Sequence, residues 1–371
     1  MKSLFGIVTG VIMAVILMAE SRALAAGASP GLAKAKKEAE ARGLQFALNH
    51  DEIVANAKKE AALRVLHSFQ PPAMNAMRDA FVKKYPFIKL SYEELTGTEA
   101  GQRFLLEQKT GTQHNWDVIH LSSDTYREHF PFLLKLDLLG MAQSGVLQII
   151  PKMIDPDARN TMAASTTVGA VAFNKDLLPA AQVPKNWEDF LRPELKGRKF
   201  LVELRPNNLA ALVPAMGKEW VLNYARRLAA QDPVWVRGVS KSLTSMASGE
   251  HALHQLLYWH NVAEFKTKAK NIDYVLIDPV PVRLTEPYGI AKGSQHPYSA
   301  MLFLEFLSSA EGQKIIDDIE PLKSSMYFPG AKVEQAIRGR KVSLIDWKQL
   351  DEVAGIMQEI IAAYGFPKAE R

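Results

Sequence analysis

Short apolar strands alternate with amphipathic helices between residues 51 and 121, and this alternation limits the chain to a small set of folds. Helices are predicted at 51–62, 72–85 and 99–109, and strands at 63–67, 87–92 and 116–121. Strands that alternate with helices at this spacing are typical of a parallel sheet covered by helices. In such sheets, ligands bind beyond the carboxyl ends of the strands. We therefore expect an α/β fold whose binding site lies at those strand ends.

The rest of the chain continues the pattern and is long enough for two lobes. Further strands are predicted at 166–174, 196–202, 252–259, 272–277 and 288–293, and further helices at 208–217, 218–230, 241–248, from 297 onward, 335–338 and 347–364. Residues 26–50 are rich in Ala, Lys and Glu and are interpreted as a linker or peripheral helix. Chains longer than about 250–300 residues usually divide into separate cores, and this one has 371 residues.

The first residues have the order of a secretory signal. Lys2 is followed by an apolar run from Leu4 to Ala19, and Ala23 and Ala25 place small residues at the two positions that a signal peptidase reads. The run is shorter than the roughly 20 residues of a membrane span. We therefore expect residues 1–25 to be a cleaved signal peptide and the protein to act in the periplasm. The alternative is an N-terminal anchor that stays uncleaved.

Composition excludes several classes of function. The chain has no Cys, which excludes thiol catalysis, a Cys-ligated metal and a lipid-modified Cys. Its formal net charge is +5, and the basic residues are spread out without a dense cluster flanked by aromatics, so nucleic-acid binding is not expected. A mildly basic protein weakly favours anionic solutes.

Four stretches of the chain carry a resemblance to a known family. They read AKKEAALRV at 57–65, AFVKKYPFIK at 80–89, LRPELKG at 191–197 after Pro184 and Trp187, and IAKGSQHP at 290–297 followed by Phe303, Phe306 and SSAEGQ at 308–313. In this order they resemble the extracellular solute-binding proteins of ABC importers that are related to the ferric-iron and polyamine binders. The last stretch is the most specific, because many fixed spacings fall within one turn and one helix.

The resemblance implies a type II periplasmic-binding-protein fold, in which two α/β lobes are joined by crossing strands and hold a solute in the cleft between them. The first lobe is predicted at 51–166 and 285–325, and the second at 167–284 and 326–371. Such proteins close about a hinge on the ligand. The expected partners are a small polar or anionic solute and an ABC permease. A monomer is expected, without cofactor, catalytic residue or bound nucleic acid.

The ferric members of this group use a His, a Glu and two adjacent Tyr as ligands, and this sequence departs from that pattern. Ser68 follows the first strand where the His would fall, and Ser122 stands where the Glu would follow the third strand. Tyr258 near the paired-Tyr position is followed by Trp259, which leaves one phenol. Because iron prefers several hard, anionic oxygen ligands, no metal site is predicted, although His260 keeps direct ferric binding open.

Residues at the strand ends are the candidate solute ligands of the first lobe. Two follow each of the first three strands, namely Ser68, Phe69, Thr96, Thr98, Ser122 and Ser123. Hydroxyls and backbone N–H groups at helix starts suit carboxylate or phosphate oxygens, but Thr98 and Ser123 are equally good helix N-caps. Thr166 lies where the chain is expected to cross between the lobes, and it either lines the cleft or is an ordinary strand residue.

The second lobe contributes three further candidates. Arg205 follows a predicted strand, where its guanidinium would bind an anion through two parallel hydrogen bonds; the alternative is a solvated Arg before Pro206. Tyr258 and Trp259 are candidates for a wall on which the solute stacks, and an ordinary core role is the alternative. An enzyme on the same fold remains a further alternative, although the chain has no G-x-S-x-G elbow and no P-loop.

Overall fold

The computed structural model describes residues 30–95, 97–112, 115–350 and 352–366, without the side chains of Thr98, Ser123 and Asp124. The expected signal peptide and the candidate Thr96 therefore lie outside the described residues. Among the helices of the described ranges, none is long and apolar enough to cross a membrane.

Strands and helices alternate through most of the chain. The strands are β1 (Ala62–His67), β2 (Lys89–Glu94), β3 (Val118–His120), β4 (Thr161–Asn174), β5 (Leu201–Glu203), β6 (Val234–Val236), β7 (Leu253–Tyr258), β8 (Ile272–Val275), β9 (Val280–Ile290) and β10 (Val342–Ile345). The helices are α1 (Pro30–Ala41), α2 (His50–Glu60), α3 (Pro71–Lys84), α4 (Thr98–Thr110), α5 (Leu138–Gln143), α6 (Asn207–Ala210), α7 (Val213–Met216), α8 (Lys218–Ala229), α9 (Val239–Ala247), α10 (Trp259–Lys268), α11 (Pro297–Ser308), α12 (Ala310–Ile319), α13 (Lys332–Ile337) and α14 (Val353–Tyr364). A 3₁₀ helix, Ser123–Phe132, follows β3.

Each lobe has a parallel sheet, and two long strands connect them. The strand order is β2-β1-β3-β9-β4-β7-β5-β6, with β10 beside β9 and β8 beside β4. In the first lobe β1 pairs in parallel with β2 and β3, and in the second β5 pairs in parallel with β6 and β7. The antiparallel strands β4 and β9 pair with each other and run through both lobes. This confirms the predicted α/β fold with two lobes and crossing strands.

Strand β4 changes partner halfway along its length. It pairs with β9 from Thr161 to Val168 and with β7 from Gly169 onward. At Gly169 a Cβ atom would lie 2.8 Å from the side chain of Pro281 and 2.9 Å from that of Leu256. Only glycine leaves room for these two side chains to pack against the backbone of β4, so this residue permits the passage from one lobe to the other.

The first lobe is built around α11, whose residues from Ser299 to Ser308 are all buried. Phe303 and Phe306 make edge contacts with Phe81 of α3 at 5.3 and 5.6 Å between ring centroids. The second lobe has a separate core, in which Trp187, Phe190 and Phe200 pack with the C-terminal helix α14.

Several element boundaries differ from the sequence predictions. The strand predicted at 288–293 is the end of β9, which begins at Val280. Prolines at 281 and 287 hid this strand, because proline is disfavoured inside sheets. The helix predicted from residue 347 begins at Val353, and Trp347 is buried against Tyr126 instead. Strands β6 and β10 were not predicted.

Truncation of Phe81 should destabilise the first lobe. We expect Phe81→Ala to lower the free energy of unfolding by about 3–5 kcal/mol, because it leaves a cavity between α3 and α11. Leu106→Ala is the matched control, since Leu106 on α4 is 60% exposed. Denaturant titration of both variants measures the difference, and equal stabilities would contradict this packing.

Candidate functional site

A cleft of about 780 Å³ lies between the two lobes. Its walls come from the carboxyl ends of β1 and β3, from the crossing strands, from the start of α10 and from one side of α14. This is the location that the alternation of strands and helices predicted. A smaller pocket of about 260 Å³ in the second lobe shares part of its wall with the cleft, at Arg205, Asn207 and Tyr258.

The structure brings four of the predicted residues together in this cleft. They are Ser68, Ser122, Arg205 and Tyr258. The Ser68 hydroxyl donates a short hydrogen bond to Glu286 Oε2. The Tyr258 hydroxyl accepts a 2.9 Å hydrogen bond from Asn207 Nδ2. Two lobes thus contribute polar groups to one space, although the sequence positions are up to about 190 residues apart.

Three other predicted residues lie in the core. Phe69 is buried and stacks on Tyr288, with the Lys323 ammonium 5.4 Å from its ring centroid. Trp259 is buried against Tyr274 at 5.5 Å. Thr166 is buried, and its Oγ1 accepts a 3.0 Å hydrogen bond from the backbone N–H of Met326. None of these three side chains lines the cleft, and a role for them in solute binding stays a prediction without support from this geometry.

The reason is local geometry. In a strand, successive side chains point to opposite faces, so Thr167 and not Thr166 lines the cleft. The two aromatic residues follow strand ends, and burial of their large apolar surfaces outweighs any role at the cleft. Thr98 is the first residue of α4 and Ser123 the first of the 3₁₀ helix, after Gly97 and Ser122 at the N-cap positions. Their side chains lie outside the described parts of the chain.

The crossing strands present a polar face to the cleft. Thr167 of β4 stands opposite Arg283 of β9 in the ladder, and Thr285 lies two residues further along β9. All three line the cleft. Thr167 and Thr285 are each 6% exposed. Neither of their hydroxyls has a hydrogen-bond partner among the described residues. Buried hydroxyls without a partner are costly, so this face is suited to a ligand.

A buried ion-pair network forms the floor of the cleft next to this face. Lys323 Nζ lies 3.0 Å from Glu286 Oε1 and 2.7 Å from Glu320 Oε2. His120 Nε2 lies 3.4 Å from Glu286 Oε2. Glu286 has a left-handed backbone with φ of 52°, a conformation that is uncommon outside glycine and that costs energy. The network therefore holds this carboxylate in a strained position at the centre of the molecule.

The ion pairs determine the protonation states of the side chains in this network. Burial alone would raise the pKa of Glu286, but Lys323, His120 and the Ser68 hydroxyl outweigh burial and lower it to about 2. Burial alone would lower the pKa of Lys323, but the two carboxylates outweigh it and raise that pKa. Burial lowers the pKa of His120. Near neutral pH Lys323 is thus an ammonium, Glu286 a carboxylate and His120 a neutral imidazole.

The first turn of α10 faces the cleft from the second lobe. Tyr258 at the N-cap position makes no side-chain hydrogen bond to the helix, and His260 and Asn261 line the cleft. The first backbone N–H groups of a helix lack partners within it and attract anions. Burial lowers the pKa of His260 to about 3, so its imidazole is neutral.

Sequence reasoning missed most of the polar residues on the crossing strands. Arg283 and Thr285 alternate along a strand, which is the signal that would have found them, but the neighbouring prolines concealed that strand. Lys323 gives no such signal, because it lies in a loop that joins the site only in three dimensions.

A metal site in the cleft would need several ligand side chains close together. Within the described ranges, no group of three or more His, Asp or Glu side chains is placed to hold a metal ion. The phenol of Tyr288 contacts Glu286 at 3.4 Å, and burial raises its pKa. A protonated, buried phenol is a poor ligand for ferric iron, which prefers anionic oxygens.

Removal of the central cation should destabilise the protein in a pH-dependent way. In the parent, the pKa of Glu286 falls from 4.5 to about 2 on folding, so its contribution is complete above about pH 4.5 and is lost as the pH falls toward 2. We expect Lys323→Met to lower the free energy of unfolding by about 3–5 kcal/mol at neutral pH, because two buried carboxylates lose their partner.

Without Lys323, burial raises the pKa of Glu286 above its unfolded value, so the deficit of the variant should shrink between pH 7 and pH 4. Lys314→Met is the control, because Lys314 pairs with Asp318 on the exposed side of α12. Chemical unfolding at several pH values measures both, and a deficit independent of pH would contradict this account.

Comparisons with known proteins agree with the two-lobed fold. A family model described as bacterial extracellular solute-binding protein matches residues 66–314. No curated protein matches the sequence significantly. Iron-bound HitA from Pseudomonas aeruginosa is 17% identical, with a TM-score of 0.59, over 81% of this chain and 99% of that one.

Two further solved structures are similar to this chain. The apo ferric ion-binding protein A from Pasteurella haemolytica is 15% identical, with a TM-score of 0.64, over 84% of this chain and 100% of that one. The substrate-binding protein of an ABC transporter from Agrobacterium tumefaciens is 15% identical, with a TM-score of 0.58, over 81% of this chain and 95% of that one. Identities this low establish the fold alone. Because the family match covers more than half of the chain, the protein belongs to the bacterial extracellular solute-binding proteins.

Proposed function

We propose that this protein is the periplasmic solute-binding component of an ABC importer, and that it captures a small anionic solute and delivers it to a membrane permease. The family and the two-lobed fold support a binding role, and the cleft supports capture between the lobes. Closure takes place about the crossing strands β4 and β9. The periplasmic location agrees with the signal predicted at residues 1–25.

Arg283 is the observation that favours an anionic solute. Its side chain is half-buried in the cleft and has no ion-pair or hydrogen-bond partner within the described part of the chain. A half-buried cation without a counter-charge favours binding of an anion. The unpartnered hydroxyls of Thr167 and Thr285 lie on the same face and supply further donors.

Closure would complete this anion site from the second lobe. The first turn of α10 and Arg205 line the same cleft, so an anion held at Arg283 would also attract the N-terminus of α10. Such a ligand binds the closed arrangement more tightly than the open one, and this difference in affinity drives closure. The permease would then recognise the closed form.

Two alternatives are less well supported. Several structural relatives bind iron, but here the Tyr258 phenol is held by Asn207, and no set of metal ligands is found among the described residues. For an enzyme, the contact between Ser68 and Glu286 resembles a nucleophile beside a base. With a pKa of about 2, however, Glu286 is too weak a base to activate a hydroxyl near neutral pH. We therefore expect binding without turnover.

Loss of the unpaired guanidinium tests the proposal. We expect Arg283→Met to weaken binding of phosphate, citrate or succinate by about 10- to 100-fold, because it removes a charge-assisted hydrogen bond. Calorimetric titration of the ligand-free protein measures the affinity. Arg103→Met is the matched control, since Arg103 is exposed on α4 and pairs with Glu107 at 3.6 Å.

Equal affinity of Arg283→Met and parent for every bound anion would contradict the proposal. A charge-transfer absorbance with ferric citrate that is lost in Tyr258→Phe would favour iron transport instead. Chemical conversion of the bound anion would favour an enzyme.

A further inference from the structure

The C-terminal helix α14 is apolar on two faces. Among its twelve residues, VAGIMQEIIAAY, the charged and amide side chains are Glu359 and Gln358. One face is buried in the core, and it consists of Val353, Ile356, Ile360 and Tyr364. A helix that is apolar nearly all round is normally buried on every side, yet the apolar residues on another side of α14 are only half-buried.

The second apolar face of α14 borders the cleft. Ala354, Met357 and Ile361 follow the spacing i, i+3, i+7 and line the cleft together with Gln358. All three apolar residues are half-buried. If this side of the helix faced only water, polar side chains would be expected at these positions. The cleft therefore contains an apolar wall in addition to its polar strands.

This wall is fixed in place before any solute binds. Glu359 Oε2 lies 3.1 Å from Lys218 Nζ of α8, and the ring of Tyr364 contacts Trp235 at 4.6 Å. Met357 packs against both the second-lobe core and the cluster around Trp347. A preformed apolar wall contributes to affinity because few side chains must lose conformational freedom when the solute binds.

The volume of the cleft agrees with a solute larger than an ion. Pockets of roughly 300–1,000 Å³ hold small organic molecules, and this cleft has about 780 Å³. An inorganic anion would satisfy Arg283 but leave the face formed by Ala354, Met357 and Ile361 in contact with water, and a metal ion would satisfy neither. A solute with a carbon body would cover that face.

From these observations we propose that the solute is an organic acid with an apolar body of about four or more carbons, whose acid group binds Arg283, Thr167 and Thr285 and whose body packs on Ala354, Met357 and Ile361 of α14. This inference rests on the proposed capture of an anionic solute. It adds the class of anion and the residues that select it.

A homologous series of carboxylates tests this inference. Calorimetric titration of the ligand-free mature protein with acetate, butyrate and hexanoate should show affinity rising by about two- to fourfold per methylene, because each methylene loses contact with water. Met357→Gln, which keeps the length of the side chain but makes it polar, should flatten this dependence. Ala362→Gln places the same side chain on the exposed side of α14 and should behave like the parent.

The outcomes separate this inference from the proposed function. If acetate and phosphate bind through Arg283 but affinity does not rise from acetate to hexanoate, the inference is wrong while the capture of anions stands. An equally steep rise in Met357→Gln and the parent would also overturn it, because lobe closure and not the solute would then cover α14. If no carboxylate and no phosphate binds, both proposals fail.

Discussion

The geometry of the cleft depends on two buried ion pairs that share Lys323, one with Glu286 and one with Glu320. Glu286 belongs to the crossing strand β9, and the backbone carbonyl of Lys323 accepts a 3.1 Å hydrogen bond from the N–H of Thr166 in β4. Lys323 therefore ties both crossing strands to one loop of the first lobe, β9 through its ammonium and β4 through its backbone carbonyl. Desolvation of three charges is expensive and is offset only when each charge keeps its partner. These close ion pairs keep Glu286 in its strained backbone conformation. The position of Glu286 in turn fixes the positions of Arg283 and Thr285 on the same strand.

Paired and unpaired charges have different consequences in this cleft. The carboxylate of Glu286 already accepts from Ser68 and Lys323, so it has little capacity left for a solute cation. Arg283 lies three residues earlier on β9 and has no such partner in the described ranges. Structural stability thus comes from the paired charges, and we propose that ligand affinity comes from the unpaired one. The same scaffold in ferric-binding relatives carries iron, but here the groups at comparable strand ends are hydroxyls, which donate hydrogen bonds to an anion.

Local patterns predicted much of the fold and little of the site. The alternation from α2 to β3 is a property of neighbouring residues, so periodicity found those elements and the strand ends at Ser68 and Ser122. The site also needs facts that are not local. Which of Thr166 and Thr167 faces the cleft depends on the pairing of β4 with β9, and the role of Lys323 depends on a loop that arrives from a distant part of the chain. The apolar face of α14 was indistinguishable from a core face, because periodicity reports that a side is apolar and not what covers it.

The C-terminal segment constrains how far the lobes can move. Ser343 of β10 accepts a 3.1 Å hydrogen bond from the N–H of Ala215 in the second lobe. Trp347 then packs on Tyr126 of the first lobe at 5.7 Å, and α14 returns to pack on α8 of the second. The chain thus passes between the lobes here as well as in β4 and β9. Rigid-body closure must bend all of these connections together, and each added connection restricts the rotation that is available. A restricted rotation would leave a larger space in the closed form, which agrees with the organic solute proposed above.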